Sequence, residues 1–428
     1  MATSPFSTLP GSAQKESIAP FRVNISDLEL ERTRTLLKLS NIPGECYENS
    51  MPDGARSLGL RREWLIEAKR VWEEEFDWRE VENKINALPN FTASIPLSRS
   101  PSNEKMIRIH FIGIFSSSPS ATPVVFLHGW PGSVLEFLGV LNLFLQKYPD
   151  PTELPYHFIV PSLPGFTLSD AFPKDQHYGM EDVAGVVNHL MTETLGFKTY
   201  CVQGGDIGSR VGRILGARYE ECTSVLLNYS PVPAPRDFDL NSLSESEVKG
   251  VKRGEWFKSD GCAYAMEQAT RPATLGLALS TNPVALLAWI GEKYLEWTDK
   301  GSFPFNSALR PESGGYKYSS ELMREAIASV AFYWLTGKAH TSFYSYREAF
   351  ALLGQPPSSN ASYEVRKPKR FGFSYFPMEV VPTPRKLMEG CTDVAFWRDH
   401  EVGGHFAALE QPGEIMRDLE DFVAGMEN

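Results

Sequence analysis

Apolar side chains near the start of the chain recur with the spacing of amphipathic helices. A helix is predicted over 28–39, with Ser26 as its N-cap, and a second helix over 61–76. The second segment carries one apolar stripe, formed by Trp64, Leu65, Ala68, Val71 and Trp72. A stripe of this width needs a partner surface, so we expect the segment to pack on the rest of the protein. Apolar and polar side chains alternate over 107–111, which predicts a half-exposed strand.

From residue 124 onward the pattern changes to short apolar runs that alternate with amphipathic segments. The runs predict strands, the first of them buried on both faces, at 124–127, 157–160, 200–203, 224–228, 371–376 and 394–397. The segments between the earlier runs predict helices at 133–147, 181–195 and 209–219. Strands that alternate with helices across short loops indicate a doubly wound α/β sheet with right-handed crossovers.

The α/β pattern is interrupted after the proline-rich segment 231–235. Residues 236–352 contain helical stretches with many aromatic side chains and no convincing buried strand. Strand character resumes only at residue 371. The economical interpretation is an α/β core that is interrupted by a helical insertion.

The composition narrows the classes of protein that need to be considered. Of the 428 residues, 42 are Lys or Arg and 53 are Asp or Glu, so the net charge is −11. An acidic surface repels phosphate backbones, which argues against a general nucleic-acid-binding protein. The five cysteines lie far apart and favour reduced thiols in the cytosol over disulfides or a zinc site. Residues 1–20 lack the apolar core of a secretory signal, and no apolar run could span a bilayer. We therefore expect a soluble cytosolic protein without a membrane anchor.

A Gly-Gly-Asp-Ile-Gly turn at 204–208 joins a predicted strand to a predicted helix. It has the form of a nucleophile elbow, with Asp206 at the position where serine hydrolases place serine. The glycines leave room for a strained backbone at the central residue, and the following helix directs its N–H groups toward the same point. The same pattern also fits an ordinary turn in which Asp206 caps the helix.

The order of the remaining candidates favours the first interpretation. Hydrolases with such an elbow place nucleophile, acid and histidine in that order along the chain. His405 lies in a Gly-Gly-His-Phe segment after the last predicted strand. A lone histidine in such a loop is usually without a chemical role, but together with the elbow it is a candidate base. The acid could be Glu379, Asp393 or Asp399, and these residues alone do not decide between them.

A His-Gly-Trp-Pro turn at 128–131 ends the first buried strand. At this place the hydrolase fold supplies an N–H group of the oxyanion hole. The backbone N–H groups of Trp130 and Ile207 are therefore the expected donors, although a purely structural Trp-Pro turn is the alternative. His128 is more typical of a residue that supports the turn than of a base.

Together these motifs resemble those of the microsomal-type epoxide hydrolases, especially the soluble fungal members that lack a membrane anchor. The resemblance covers almost the whole chain. Its motifs lie, in order, at 76–79, 128–133, 161–166, 203–208 and 403–410. It implies an α/β-hydrolase core with a helical cap (lid) and a mainly helical N-terminal meander domain. The implied boundaries are 1–95 for the N-terminal domain, 96–232 and 353–428 for the core, and 233–352 for the cap.

The resemblance also implies roles for individual residues. Asp206 would be the nucleophile and His405 the base. Two lid tyrosines donate hydrogen bonds to the epoxide oxygen in this family, and they match Tyr264 in the segment 263–267 and Tyr346 in the segment 344–348. The residues alone would not select these two, because the same insertion contains other tyrosines that could simply pack.

The charge-relay acid of the family follows a Phe-Pro pair, which here selects Glu379. Related fungal proteins can carry Asp at this position, so Asp399 stays as an alternative. The resemblance implies a small-molecule epoxide as the partner and is compatible with a homodimer. The chemistry needs no metal or organic cofactor, and the sequence has no metal-ligand spacing.

Three other functions fit the sequence less well. A haloalkane dehalogenase also uses an elbow aspartate, but it needs halide donors, commonly a tryptophan at the position that Ile207 occupies here. A serine esterase is excluded because the elbow contains no serine. A non-catalytic binding protein of this fold would typically have lost a catalytic group, whereas every expected type is present.

Overall fold

One sheet organises the chain, which a computed structural model describes over residues 4–51, 58–97, 105–235, 237–302, 319–353, 364–365 and 369–426. Within these ranges nine strands form the sheet. They are β1 Ile18–Phe21, β2 Asn90–Pro96, β3 Met106–Ile114, β4 Thr122–Leu127, β5 Tyr156–Pro161, β6 Tyr200–Gly204, β7 Cys222–Leu227, β8 Arg370–Tyr375 and β9 Val394–Asp399.

Helices cover both faces of the sheet and fill most of the insertion. The α-helices of the described residues are α1 Asp27–Leu39, α2 Arg62–Glu74, α3 Trp78–Asn86, α4 Leu138–Lys147, α5 Met180–His189, α6 Asp206–Arg218, α7 Glu245–Trp256, α8 Ala263–Thr270, α9 Pro272–Leu279, α10 Pro283–Trp297, α11 Ser320–Leu335, α12 Tyr344–Leu353, α13 Arg385–Glu389, α14 Ala407–Glu410 and α15 Pro412–Ala424. Short 3₁₀ turns lie at Pro5–Ser7, Lys15–Ser17, Val134–Phe137 and Leu240–Ser242, and π turns at Leu190–Thr194 and Phe257–Gly261.

The strand order is β1-β2-β3-β5-β4-β6-β7-β8-β9. From β5 to β9 the strands are parallel, whereas β1, β2 and β3 pair antiparallel. In the register, Leu127 lies opposite Gly204, and Gly204 lies opposite Leu227. Three central strands therefore end at one level, so the turns that follow them meet. The predicted α/β class is confirmed, and the chain has the α/β-hydrolase fold.

The sequence pattern does not predict β1 and β2. Both are short and lie at the antiparallel end of the sheet, where pairing with β3 rather than local alternation defines them. The half-exposed pattern assigned to 107–111 was also wrong at His110, which is fully buried. Its two ring nitrogens lie 3.0 Å from Ser162 Oγ and 2.9 Å from Asn90 Oδ1. Burial lowers the pKa of His110 to about 3, so the imidazole is neutral.

The apolar stripe of α2 packs on the helical insertion. Trp64 is fully buried, and its ring contacts α10 at Gly291, where an added Cβ would lie 2.5 Å from the ring. Ala68, Val71 and Trp72 are buried as well, while Leu65 is partly exposed. The expectation that this segment packs on the rest of the protein is confirmed.

Among the described residues, no single helix has the length and apolar character needed to cross a membrane. Two consecutive helices, Pro272–Leu279 and Pro283–Trp297, together have that length and apolar composition, but the chain bends by 117° between them.

We predict that Trp64→Ala lowers the free energy of unfolding by about 3–5 kcal/mol, because it removes a buried ring from a tight contact. Ile66 lies on the same helix but is 40% exposed, so Ile66→Ala serves as the control and should change the free energy by only about 0.5 kcal/mol. Denaturant unfolding followed by circular dichroism measures both. Equal changes in the free energy of unfolding of the two variants would show that the contact with α10 contributes no more to stability than an exposed side chain does.

Candidate active site

The turn after β6 has the geometry of an elbow. Asp206 is the first residue of α6 and has a φ of 43°, a left-handed backbone conformation that residues other than glycine seldom adopt. The neighbouring glycines are needed for close packing, since a Cβ on Gly208 would lie 2.0 Å from the carbonyl oxygen of Leu127 in β4. A Cβ on Gly205 would meet the Asn228 amide at 2.8 Å. The strained turn thus lies directly between the ends of β4 and β7.

Two backbone N–H groups face the carboxylate of Asp206. Trp130 N–H donates to Asp206 Oδ1 at 2.8 Å, and Ile207 N–H also donates to the carboxylate. The turn that carries Trp130 is held by His128, which donates from Nδ1 to Gly129 O and accepts from Leu163 N–H at Nε2. Burial lowers the pKa of His128 to about 4, so it stays neutral and supports the turn, as predicted.

His405 lies between two carboxylates. Its Nε2 is 3.3 Å from Asp206 Oδ2, and its Nδ1 is 2.5 Å from Glu379 Oε1. Glu379 is buried on the loop after β8, at the end of the Phe-Pro segment. The structure thus brings Glu379, and not the alternative Asp399, to the histidine, since Asp399 accepts a hydrogen bond from the Trp397 indole instead.

The loop around His405 is fixed through its backbone. His405 N–H donates to the carbonyl oxygen of Trp297, and the Trp297 ring stands nearly perpendicular to the imidazole at 4.9 Å. Gly404 and Phe406 N–H both donate to the buried carboxyl of Glu410. The histidine is therefore presented by a rigid loop, although the loop has little regular structure.

Charges set the protonation states of this cluster. Burial alone would raise the pKa of Asp206, but His405 and the Trp130 and Ile207 N–H groups together lower it below its ordinary value. Burial alone would lower the pKa of His405, but the negative charges of Glu379 and Asp206 raise it well above its ordinary value. The site at rest is therefore a carboxylate beside an imidazolium.

The helical insertion places two tyrosines over the elbow. Tyr264 of α8 and Tyr346 of α12 are both buried, and their rings lie 5.7 Å apart at 76°. The Trp130 ring stacks on Tyr264 at 5.3 Å and meets Tyr346 edge-on at 5.9 Å. Burial and the charge of Asp206 raise the pKa of each tyrosine well above its ordinary value, so both keep their protons.

Other tyrosines of the insertion are used for packing. Tyr333 donates to Gly132 O at 2.7 Å, Tyr294 stacks on Phe406, and Tyr344 contacts Phe172. The two tyrosines that the sequence could select only by resemblance are the pair whose rings contact both Trp130 and each other.

Sequence reasoning missed several residues that border the site. Trp297 supplies both a ring and a carbonyl to His405, and Asn228 accepts a hydrogen bond from Gln203 beside the elbow. Asn228 directly follows β7, so its place at the end of a central strand was a usable signal. Glu136 was missed as well, because its spacing from Ser133 is that of a helix-capping pair.

Comparisons with known proteins give consistent results. A family described as "Epoxide hydrolase N terminus" matches residues 18–137, and one described as "alpha/beta hydrolase fold" matches residues 122–244. The solved structure of an Aspergillus niger epoxide hydrolase is 41% identical, with a TM-score of 0.84 over 98% of this chain and 99% of that one. A Dothistroma septosporum protein, provisionally named an epoxide hydrolase, is 39% identical over 98% of this chain and 92% of its own length. The juvenile hormone epoxide hydrolase of Bombyx mori is 24% identical with a TM-score of 0.78 over 98% of each chain, which shows a common fold.

We predict that Gly208→Ala lowers the free energy of unfolding by about 1–3 kcal/mol, because the added methyl group forces α6 away from β4. Gly413→Ala is the matched control, since it also lies in the first turn of a helix and nothing is within 4 Å of its added Cβ. The control should be neutral or slightly stabilising. Urea unfolding of both variants tests this, and an undisturbed Gly208→Ala protein would contradict the close approach of α6 to β4.

Proposed function

Because the chain belongs to the epoxide hydrolase family, we propose that it converts epoxides and water into vicinal diols through an ester on Asp206. The observation that carries the proposal is the position of Asp206. Its carboxylate accepts from the Trp130 N–H group and lies 3.3 Å from His405, on the side of the elbow that the two tyrosines cover. The substrate is a small-molecule epoxide, in keeping with the names of the relatives.

In the first half-reaction, an oxygen of ionised Asp206 attacks a ring carbon of the epoxide, and the C–O bond of the strained ring breaks. The oxygen that leaves the carbon gains negative charge and must be stabilised. Tyr264 and Tyr346 are suited to this because both are neutral donors, and one of them gives its proton to this oxygen. The product is a hydroxyalkyl ester of Asp206.

The same step prepares the histidine for the second half-reaction. The ester has no charge, so the pKa of His405 falls once the negative charge of Asp206 is lost. His405 can then return a proton to the tyrosine that lost one. Neutral His405, held at Nδ1 by Glu379, becomes available as a base.

In the second half-reaction, water adds to the ester carbonyl carbon while His405 takes one of its protons. The oxyanion that forms is stabilised by Trp130 and Ile207 N–H, which already bind the Asp206 carboxylate at rest. When the oxyanion collapses, the diol leaves with a proton and Asp206 is regenerated. The chemistry needs only groups of this chain and water.

The domain division of the sequence stays part of the proposal. We assign 1–95 to an N-terminal domain, 96–232 and 353–428 to the core, and 233–352 to the cap. Contact between α2 and α10 supports a structural role of the first domain in holding the cap. A homodimer and a cytosolic location stay predictions of the sequence.

We predict that the wild-type protein forms the diol from styrene oxide without any added cofactor, and that His405→Gln opens the ring but fails to hydrolyse the ester. A covalent adduct, heavier by one substrate mass, should accumulate on the peptide that contains Asp206. Mass spectrometry of the intact and digested protein detects it. Asp206→Asn is the control and should form no adduct, because a neutral amide is a poor nucleophile.

Isotope labelling distinguishes this pathway from direct attack of water on the epoxide. In a single turnover in heavy-oxygen water, the first diol should be unlabelled and Asp206 should carry the solvent oxygen. A labelled first diol, an unlabelled Asp206 and no adduct in the His405 variant would rule out the covalent pathway.

We predict that Tyr264→Phe and Tyr346→Phe each slow ring opening by roughly 10²-fold, the usual cost of one lost donor to a developing oxyanion. The double variant should be nearly inactive. Tyr344→Phe is the matched control, because this neighbouring tyrosine packs against Phe172 rather than over the elbow. Single-turnover measurement of ester formation tests the pair, and near-normal ester formation in the double variant would contradict it.

A further inference from the structure

A small cavity lies beside the nucleophile. Its volume is about 10 Å³, and its polar lining includes Asp206, His405, Asn228, His128 and Glu136. A cavity holds a water molecule once its volume reaches roughly 10–15 Å³ and it offers two to four polar partners. This cavity is near the lower limit of that size and has the partners. It therefore fits a single water molecule next to the reacting carboxylate.

Glu136 is the acid of this lining for which the proposed pathway has no use. It lies in the 3₁₀ turn Val134–Phe137, between the turn of Trp130 and the start of α4. Its carboxyl occupies the space over Gly132, where an added Cβ would lie 1.3 Å from Oε1. The absence of a side chain at Gly132 thus allows the carboxyl to reach the cavity.

The charge state of Glu136 suits a position beside an ionised nucleophile. Burial raises the pKa of its carboxyl to about 8, with Asp206 and Glu410 adding to this effect and His405 opposing it. The phenols of Tyr294 and Tyr333 also lie within the electrostatic reach of Glu136. At neutral pH the group is a carboxylic acid that can both donate and accept a hydrogen bond. It can bind water without adding a second negative charge beside Asp206.

We propose that Glu136 positions the hydrolytic water, holding it in this cavity within reach of His405 for attack on the Asp206 ester. The inference rests on the proposed function, because it needs the ester. The water oxygen adds to the carbonyl carbon of Asp206, and one water proton passes to His405 Nε2. The bond between that carbon and the diol oxygen then breaks, the diol oxygen takes that proton from His405, and Asp206 keeps the oxygen of water. The second water proton passes from the Asp206 carboxyl to His405, which restores the carboxylate and the imidazolium. Glu136 gives up no proton in this sequence and acts by hydrogen bonding alone.

A purely structural role predicts a different outcome. The Glu136 carboxyl also accepts from Ser133 N–H, as in a helix-capping pair. Loss of a cap costs about 0.5–2 kcal/mol of stability and affects both half-reactions alike. Loss of a water-positioning group slows hydrolysis and leaves ester formation unchanged. The two half-reactions therefore have to be measured separately.

The test compares Glu136→Leu with Glu136→Gln in the full chain, with styrene oxide as substrate and rapid quenching to follow the ester on Asp206. In Glu136→Leu we expect ester formation at the wild-type rate and hydrolysis slower by about 10- to 100-fold. The value of kcat and that of KM should then fall together, so that kcat/KM is unchanged. Glu136→Gln should hydrolyse the ester at close to the wild-type rate, because an amide donates and accepts as a neutral acid does.

Glu325→Leu is the matched control, since Glu325 of α11 is another acid whose pKa is raised by burial but it does not line the cavity. Both half-reactions should be normal in this variant. If Glu136→Leu does not fold, Glu136→Met provides the same comparison with an unbranched side chain. Normal hydrolysis in the apolar variant, or an equal loss in both half-reactions, would overturn the inference. Such a result leaves wild-type diol formation intact, whereas failure of the proposed function removes it.

Discussion

The parallel register of β4, β6 and β7 determines where every group of the site can lie. Leu127, Gly204 and Leu227 are aligned across the three strands, so the turns after them start at the same level. Because Gly208 has no side chain, α6 can approach β4 so closely that an added Cβ would lie 2.0 Å from Leu127 O. Asp206 is thereby held under the Trp130 N–H group, and the donors are in place before any charge develops. Donors that are preorganised in this way usually make the largest electrostatic contribution to stabilising the charge that develops in the transition state.

The core alone does not complete the site. The histidine loop is fixed to the insertion, because His405 N–H donates to Trp297 O at the end of α10. The ring of Trp130, which belongs to the core, contacts both tyrosines of the insertion. The insertion in turn packs on α2 through Trp64 and Gly291. The three parts of the chain are therefore mechanically linked, and distant packing can influence the geometry around Asp206.

Local patterns were sufficient to predict the α/β core, whereas the elbow also required the order of the later candidates along the chain. Short apolar runs and the spacing of the glycines are properties of neighbouring residues, and they are visible without the fold. The choice of Glu379 over Asp399 is of a different kind, because it depends on how two loops meet after separate strands. Tyr264 and Tyr346 could not be selected from an aromatic-rich insertion without a resemblance, since nothing local distinguishes them from Tyr333. The strands β1 and β2 were missed because pairing, and not periodicity, defines them.

The acids around His405 differ in charge because hydrogen bonds and the positive charge of His405 offset their burial to different extents. Asp206 receives two backbone N–H groups and an imidazolium, so its pKa is low despite burial. The burial of Glu136 is opposed only by the charge of His405 and one hydrogen bond from Ser133 N–H, so the pKa of its carboxyl rises to about 8. The pKa of Glu410 is intermediate. Three backbone N–H groups donate to its carboxyl, yet burial still raises its pKa to about 7. When their surroundings give neighbouring acids different pKa values, the acids can take different roles in a reaction. Here the ionised acid is suited to attack on carbon, and the neutral acid is suited to hold water beside it.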